Sequence, residues 1–151
     1  YDLSKHLNIG FGYRYIEEMK NKKFKVESDP YWIATLFWEW LGAKFDSRSR
    51  FEYRHFDYQP DSWRSRNKFT AKLPWKFTKK EIQPYLADEI FIRLNGTDLN
   101  QNRFSAGFSF IIVKNLKGEI YYMLQSTKNY KKTASDWTDT NVLGTKLKIA
   151  F

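Results

Sequence analysis

Cysteine is absent from this chain of 151 residues, so neither a disulfide framework nor a thiolate metal site can form. Histidine is nearly absent too. His6 and His55 are the only two, too few for a metal site of the usual kind. No apolar run reaches the roughly 18–20 residues of a transmembrane helix; the longest, Tyr31 to Leu41, is broken by Glu39. That excludes a spanning helix but not a spanning strand, which needs only about 9–11 residues. The chain does not begin with Met and displays no signal peptide, so it reads as a mature form or a piece of a longer chain.

What is present is an unusual pairing. Aromatic residues make up 19% of the chain, with 6 Trp, 10 Tyr and 13 Phe, while the net charge is +9 and the mean hydropathy is −0.69. Aromatics and charges that are abundant together suit a protein with an apolar outside and a polar inside. The length is that of one domain, residues 1–151.

Strand-like segments occupy 7–15, 31–40, 43–56, 62–75, 81–93, 101–112, 118–127 and 140–151. They exceed the usual globular strand of about 5–6 residues. Their alternation has period 2. In 101–112, Phe104, Ala106, Phe108, Phe110 and Ile112 face one way and Arg103, Ser105, Gly107 and Ser109 the other. In 140–151, Leu143, Thr145, Leu147, Ile149 and Phe151 alternate with Gly144, Lys146, Lys148 and Ala150. The segments 62–75 and 7–15 repeat the pattern. The basic residues thus share one sheet face, opposite the aromatics. A single-strand nucleic-acid surface would carry both on the same face, so no nucleic acid is expected. The expectation is an all-β, antiparallel, up-and-down transmembrane β-barrel of about eight strands.

Two segments are less regular. Asp88 and Glu89 are adjacent, and a β-bulge would be needed to turn both inward. In 31–40 the second face, Tyr31, Ile33, Thr35, Phe37 and Glu39, is nearly as apolar as the first. Turn-type residues fall at Lys20 to Lys23, Gln59-Pro60-Asp61, Asn95-Gly96-Thr97-Asp98, Lys114-Asn115 and Lys131 to Asp136. With Phe151 placed at the periplasmic side, 16–30, 57–61, 94–100 and 128–139 become outer loops. Leu41-Gly42, Lys76 to Lys80 and Val113 to Lys117 become short periplasmic turns. Aromatics near strand ends (Tyr13, Tyr15, Trp38, Trp40, Trp63, Trp75, Tyr121, Tyr122 and Trp137) suit interfacial girdles.

Several stretches together resemble one family of outer-membrane β-barrel proteins, grouped as domain of unknown function 2490. They are Arg50-Phe51-Glu52-Tyr53-Arg54, Trp63-Arg64-Ser65-Arg66-Asn67, Pro84 to Phe91, Asn100-Gln101-Asn102-Arg103, Asp136-Trp137 and Asn141 to Lys148. Their order and spacing match over nearly the whole chain. The resemblance implies an outer-membrane location in a Gram-negative bacterium, with the lipid bilayer, lipopolysaccharide and the barrel-assembly machinery as partners. Other outer-membrane proteins are further candidates. It also implies a strand pair ahead of Tyr1, ten strands in a full-length parent, and makes Tyr1 to His6 an internal turn. Leu147, Ile149 and Phe151 would form the closing signal read by the assembly machinery. It implies no chemistry.

The richest polar set is Arg48, Arg50, Glu52 and Arg54 on one strand and Arg64, Arg66, Lys68 and Lys72 on the next. Glu39, Glu52, Asp88, Glu89 and Glu119 are the acids that could answer it. Buried charge must be paired, and about eight strands leave room only for side chains. A packed, charged lumen is therefore expected, in a structural or partner-binding barrel. A narrow anion-selective pore or a lipid-binding barrel is the transport alternative. A soluble lipocalin-like barrel would need the two faces inverted. A lipid-modifying enzyme would rest on His55, which shares its strand face with Ser47 and Ser49 but has no evident orienting acid, so no catalytic residue is expected. The acids of Asp57 to Asp61 and Asp98 lack EF-hand spacing, and no cofactor is expected.

Overall fold

In the computed structural model the chain is one sheet of nine antiparallel strands in sequence order, described over residues 1–20, 23–96, 98–128 and 136–149. The strands are β1 (Asp2–Ser4), β2 (Leu7–Lys20), β3 (Lys23–Trp40), β4 (Ala43–Phe56), β5 (Ser62–Lys72), β6 (Gln83–Arg93), β7 (Asp98–Val113), β8 (Leu116–Lys128) and β9 (Trp137–Ile149). Every neighbour is joined up-and-down, and no helix occurs among the described residues. β1 and β9 are not paired with each other, so the sheet is curved but not closed.

Eight expected segments become nine strands for a local reason. Tyr1 to His6, expected as a turn, instead places Asp2 against Asn8 and Ser4 against Leu7, leaving only Lys5-His6 to reverse the chain. The expected outer loop 16–30 is also corrected. β2 and β3 stay in register from Leu7↔Leu36 out to Lys20↔Lys23. Only the turn near Lys20 to Lys23 survives from that expectation. Its Lys-rich composition concealed strand alternation on both sides, Tyr15-Glu17-Met19 and Phe24-Val26-Ser28. β5, in contrast, ends sooner than expected, because Pro74 has no N–H to offer the ladder.

The reversal from β3 to β4 uses two residues, Leu41 at φ 50° and Gly42 at φ 76°. Both are left-handed, as a type I′ hairpin turn requires, and its twist matches the strands it joins. Leu41 accepts this conformation at some cost, whereas Gly42 has no Cβ to object.

Parity sorts the side chains into two faces, as the alternation predicts. Phe11, Trp32, Leu36, Phe108, Tyr122, Leu143 and Leu147 all lie exposed on the outer face. Aromatic contacts run across four strands there: Phe11 to Trp32 (5.7 Å between centroids), Trp32 to Phe51 (6.5 Å) and Phe51 to Trp63 (5.0 Å). The concave face is the reverse. Its buried polar side chains, Asp29, Glu52, Thr70, Glu89 and Glu119, outnumber its buried apolar ones, Phe56, Tyr85, Ala87 and Phe91. The sheet is built inside out relative to a water-soluble domain.

Candidate functional site

The inner wall is assembled by register. Glu52 of β4 stands opposite Tyr31 of β3 and Arg64 of β5. It is wholly buried and answered by three guanidiniums. Arg64 Nε donates to it at 2.5 Å, Arg50 Nη1 at 3.2 Å and Arg66 Nη1 at 3.3 Å. Arg66 turns its other arm, Nη2, to Glu89 of β6 at 2.9 Å, and Arg48 reaches the same carboxylate at 3.7 Å. Glu52–Arg66–Glu89 is therefore a continuous bridge across β4, β5 and β6. Such a buried cluster is held by mutual pairing, since an isolated charge there would be very costly.

Aromatic faces take up part of the remaining positive charge. The Phe91 ring, nearly fully buried, is approached by Arg66 (4.6 Å), Arg103 (4.7 Å) and Arg64 (5.8 Å). Arg50 lies 4.6 Å from the Tyr31 centroid and Arg54 4.7 Å from that of Phe56. Cation–π attraction gains strength when water is excluded. Two donors, Arg50 Nε and Arg66 Nε, are buried without a partner among the described residues.

Of the expected network residues, Arg48, Arg50, Glu52, Arg64, Arg66 and Glu89 come together as described. Arg54 is diverted to Glu27 Oε1 at 2.7 Å. Lys68 lies on the same inner face but makes no ion pair among the described residues. Two acids fall outside the network. Glu39 is exposed at the short-turn end, opposite Lys44. Asp88 is on the outer face between Phe69 and Phe104, where it accepts a hydrogen bond from Asn102 Nδ2 at 2.9 Å. No bulge rescues it, for the irregularity in this strand pair lies at Phe91/Ile92.

Sequence reasoning missed a second charge cluster because it assigned 16–30 to a loop. Arg14 of β2 donates through Nε to Asp29 Oδ2 at 3.1 Å and sits 3.7 Å from Glu27. Parity carried on past Tyr15 would have found it. Glu119, foreseen only as a candidate acid, pairs with Lys148 and, at 3.6 Å, with Lys146. Tyr121 also departs from its expected girdle position. It points inward over Gly144, while Tyr122 points out. In the closing row, Leu147 and Ile149 are exposed on the outer face of β9; Phe151 lies outside the described residues.

His55 does have an orienting acid. Its Nδ1 lies 3.0 Å from both carboxylate oxygens of Asp61, which also accepts from the Tyr53 hydroxyl at 2.6 Å and the Phe56 N–H at 3.2 Å. The imidazole, the phenol and the amide together hold the Asp61 carboxyl down at about 2. No hydroxyl is hydrogen-bonded to the His55 ring among the described residues. Ser28, directly opposite His55, bonds the Tyr13 hydroxyl instead. The group forms a clasp that ties the residue before β5 back to the end of β4.

No curated protein and no solved structure matches the chain. The family model described as "Protein of unknown function (DUF2490)" matches residues 1–136, most of the sheet just described and all the acids of its inner wall, and the chain belongs to that family.

Proposed function

We propose that this chain forms the wall of a β-barrel in the outer membrane of a Gram-negative bacterium, its aromatic face in lipid and its charged face filling the lumen. Its role there is structural or partner-binding. The observation that carries this reading is the sorting of faces. Large apolar side chains stand exposed on the convex side while Glu52 and Asp29 are wholly buried on the concave side. In water that arrangement exposes far more contiguous apolar surface than a monomer tolerates.

Strand length supports it. β5 and β6 are the shortest long strands, at 11 residues each. At about 3.3 Å per residue they extend roughly 36 Å. Tilted by about 45°, they cross roughly 25 Å, the height of the apolar band of such barrels. Direction adds a further point. β1 and β9 run the same way in the up-and-down order, so a strand joining them must run opposite to both. A wall closed in that way has ten strands, an even number as bacterial barrels have.

The test is partition and folding. The protein should require detergent or lipid to stay monodisperse and should migrate faster unheated than boiled on a gel. A spin label at Phe108 should be quenched by lipid-dissolved oxygen, and one at Ser105 should not. A soluble, detergent-free monomer would sink the proposal.

A further inference from the structure

The concave face encloses a cavity of about 220 Å³ at mid-sheet, lined by cations from four strands: Arg48 (β4), Arg66 and Lys68 (β5), Arg103 (β7) and Lys146 (β9). Among the described residues Glu89 is the sole acid on its wall, so the formal balance there is five positive charges against one negative. That acid is already engaged by Arg66 and Arg48. Lys68 has no ion pair among the described residues. Among the described residues, Arg103 is met by the Gln125 amide oxygen, at 2.8 Å from its Nε, and by the Phe91 ring. Two of the five cations are also answered from beyond this wall, Arg66 by Glu52 at 3.3 Å and Lys146 by Glu119 at 3.6 Å. Here the cations outnumber the acids around an open space.

Buried charge left unanswered by protein must be answered by something else. Side chains of one sign around a low-dielectric cavity also concentrate counter-ions. Three features of the cavity fix the chemistry of that ion. It is anionic, because the wall is in excess positive charge. It is compact, because of the volume. It is oxygen-rich and multivalent, because three guanidinium forks and two ammonium groups converge from different strands, the donor geometry that matches phosphate oxygens. The hydroxyl-bearing Tyr85, Ser105 and Tyr121 complete the lining with neutral donors.

A second cavity, about 170 Å³, shares Arg48, Lys68, Tyr85 and Lys146 and adds Lys72 and Lys148. Asp46 and Glu119 are its acids, again fewer than its cations. Lys72 and Lys148 belong to the end of the sheet that carries the short turns. The basic lining therefore continues from mid-sheet toward that end.

We infer that the lumen binds a phosphate-type anion, a free phosphate or the phosphomonoester of a lipid, held between Lys68, Arg103 and Lys146. The inference rests on the barrel reading only for which solvent compartment the short-turn end faces; the cavity itself belongs to the curved sheet in either case.

The experiment uses the full chain folded in zwitterionic micelles, with heat-modifiable migration as the check on folding. Inorganic phosphate, pyrophosphate and micelle-dispersed phosphatidic acid are titrated separately, read by phosphorus NMR line-broadening and calorimetry. Saturable binding of at least one is expected. Binding by phosphatidic acid alone identifies the lipid source, and binding by the inorganic ions identifies the free one. Lys68→Gln combined with Lys146→Gln should weaken binding about tenfold or more, roughly 1.4 kcal/mol. Lys114→Gln, in an exposed turn, should leave it unchanged. A folded protein that binds none of the three overturns the inference while leaving the barrel reading intact. So does a double variant that folds and binds as tightly as the parent. A protein that binds phosphate yet needs no detergent overturns the membrane reading alone.

Discussion

The ring of Tyr121 lies over Gly144 on the neighbouring strand: a Cβ added to that glycine would come within 2.8 Å of the ring's Cε2. Tyr121 is in register with Gly144 on one side and with Gly107 on the other. Tyr31 covers Gly12 in the same way at the opposite edge of the sheet. Inward-facing glycines here make room for inward-facing tyrosines, whose rings cover backbone that glycine would leave bare.

These two glycines should differ in tolerance. A methyl group on Gly144 meets only the far end of a ring that can swing away. On Gly107 it meets the Ile120 carbonyl oxygen and Tyr121 Cβ, the latter at 2.7 Å, and both are fixed to backbone. Gly107→Ala should therefore destabilise by about 1–3 kcal/mol, the range for overpacking, and Gly144→Ala by clearly less. Urea unfolding of the two variants in lipid vesicles measures the difference, and equal midpoints would contradict it.

Removing the Glu52 carboxylate should be among the most damaging single changes in the chain. Three arginines converge on it, and none of them can lose its proton to relieve the repulsion left behind. Breaking a buried pair from one side costs roughly 3–5 kcal/mol. Glu52→Ala and Glu52→Gln are both expected in that range, because Gln restores shape and not charge. A shift in unfolding midpoint worth under about 1 kcal/mol, the usual size of an exposed ion pair, would mean that the cluster is solvated.

The two faces were legible because period 2 needs no knowledge of neighbours. Once Phe104 and Arg103 are assigned opposite sides, the residues of β7 from Gln101 to Ile111 follow; beyond them the register shifts on either side of that stretch break the alternation. The Glu52 hub was half legible. Alternation placed Arg50, Glu52, Arg64 and Arg66 on one face, but which guanidinium reaches which carboxylate depends on register, and register is set by the turns. The Arg14–Asp29 pair was hidden because Lys20 to Lys25 has turn composition, and composition is local whereas the hairpin is held by pairing along its whole length. Asp88 illustrates the opposite error. A charge on the apolar face invited a bulge to remove it, and the strand keeps its register by giving the carboxylate an Asn102 amide instead. The basic cavity could not be read at all, since Lys146 and Arg48 are brought to one space only by the curvature of the intervening strands.

Leu143 is 79% exposed at the middle of β9, and in a bilayer that exposure is contact with lipid. Leu143→Arg should then cost roughly 2–4 kcal/mol, as for Arg at the midplane of a barrel's lipid face. Gln101→Lys, on the inner face of β7, loses little beyond the Gln101–Thr127 hydrogen bond, about 1 kcal/mol. Vesicle refolding yields for the two variants provide the comparison. If Leu143→Arg refolds as well as the parent, β9 does not face lipid.

The clasp at Asp61 gives a pH signature of defined sign. Its carboxylate accepts from His55, Tyr53 and the Phe56 amide, and these partners lower its value from the ordinary 3.8 to about 2. They favour the ionised form over the protonated one, so the folded loop binds a proton less readily than the unfolded chain does. The clasp's contribution is accordingly complete above about pH 4, where Asp61 is ionised in both states, and is lost as pH falls through about 2. Carbon-13 NMR of the Asp61 carboxyl should thus show a titration near 2, while amide exchange at Phe56 stays slow down to that pH and accelerates below it. Asp61→Asn keeps an acceptor oxygen but no charge, so Phe56 exchange should be faster than in the parent at pH 5, and the low-pH step should vanish. A carboxyl that titrates at its ordinary value would mean that the imidazole, the phenol and the amide do not hold it in solution, and that strands β4 and β5 are joined by an open loop.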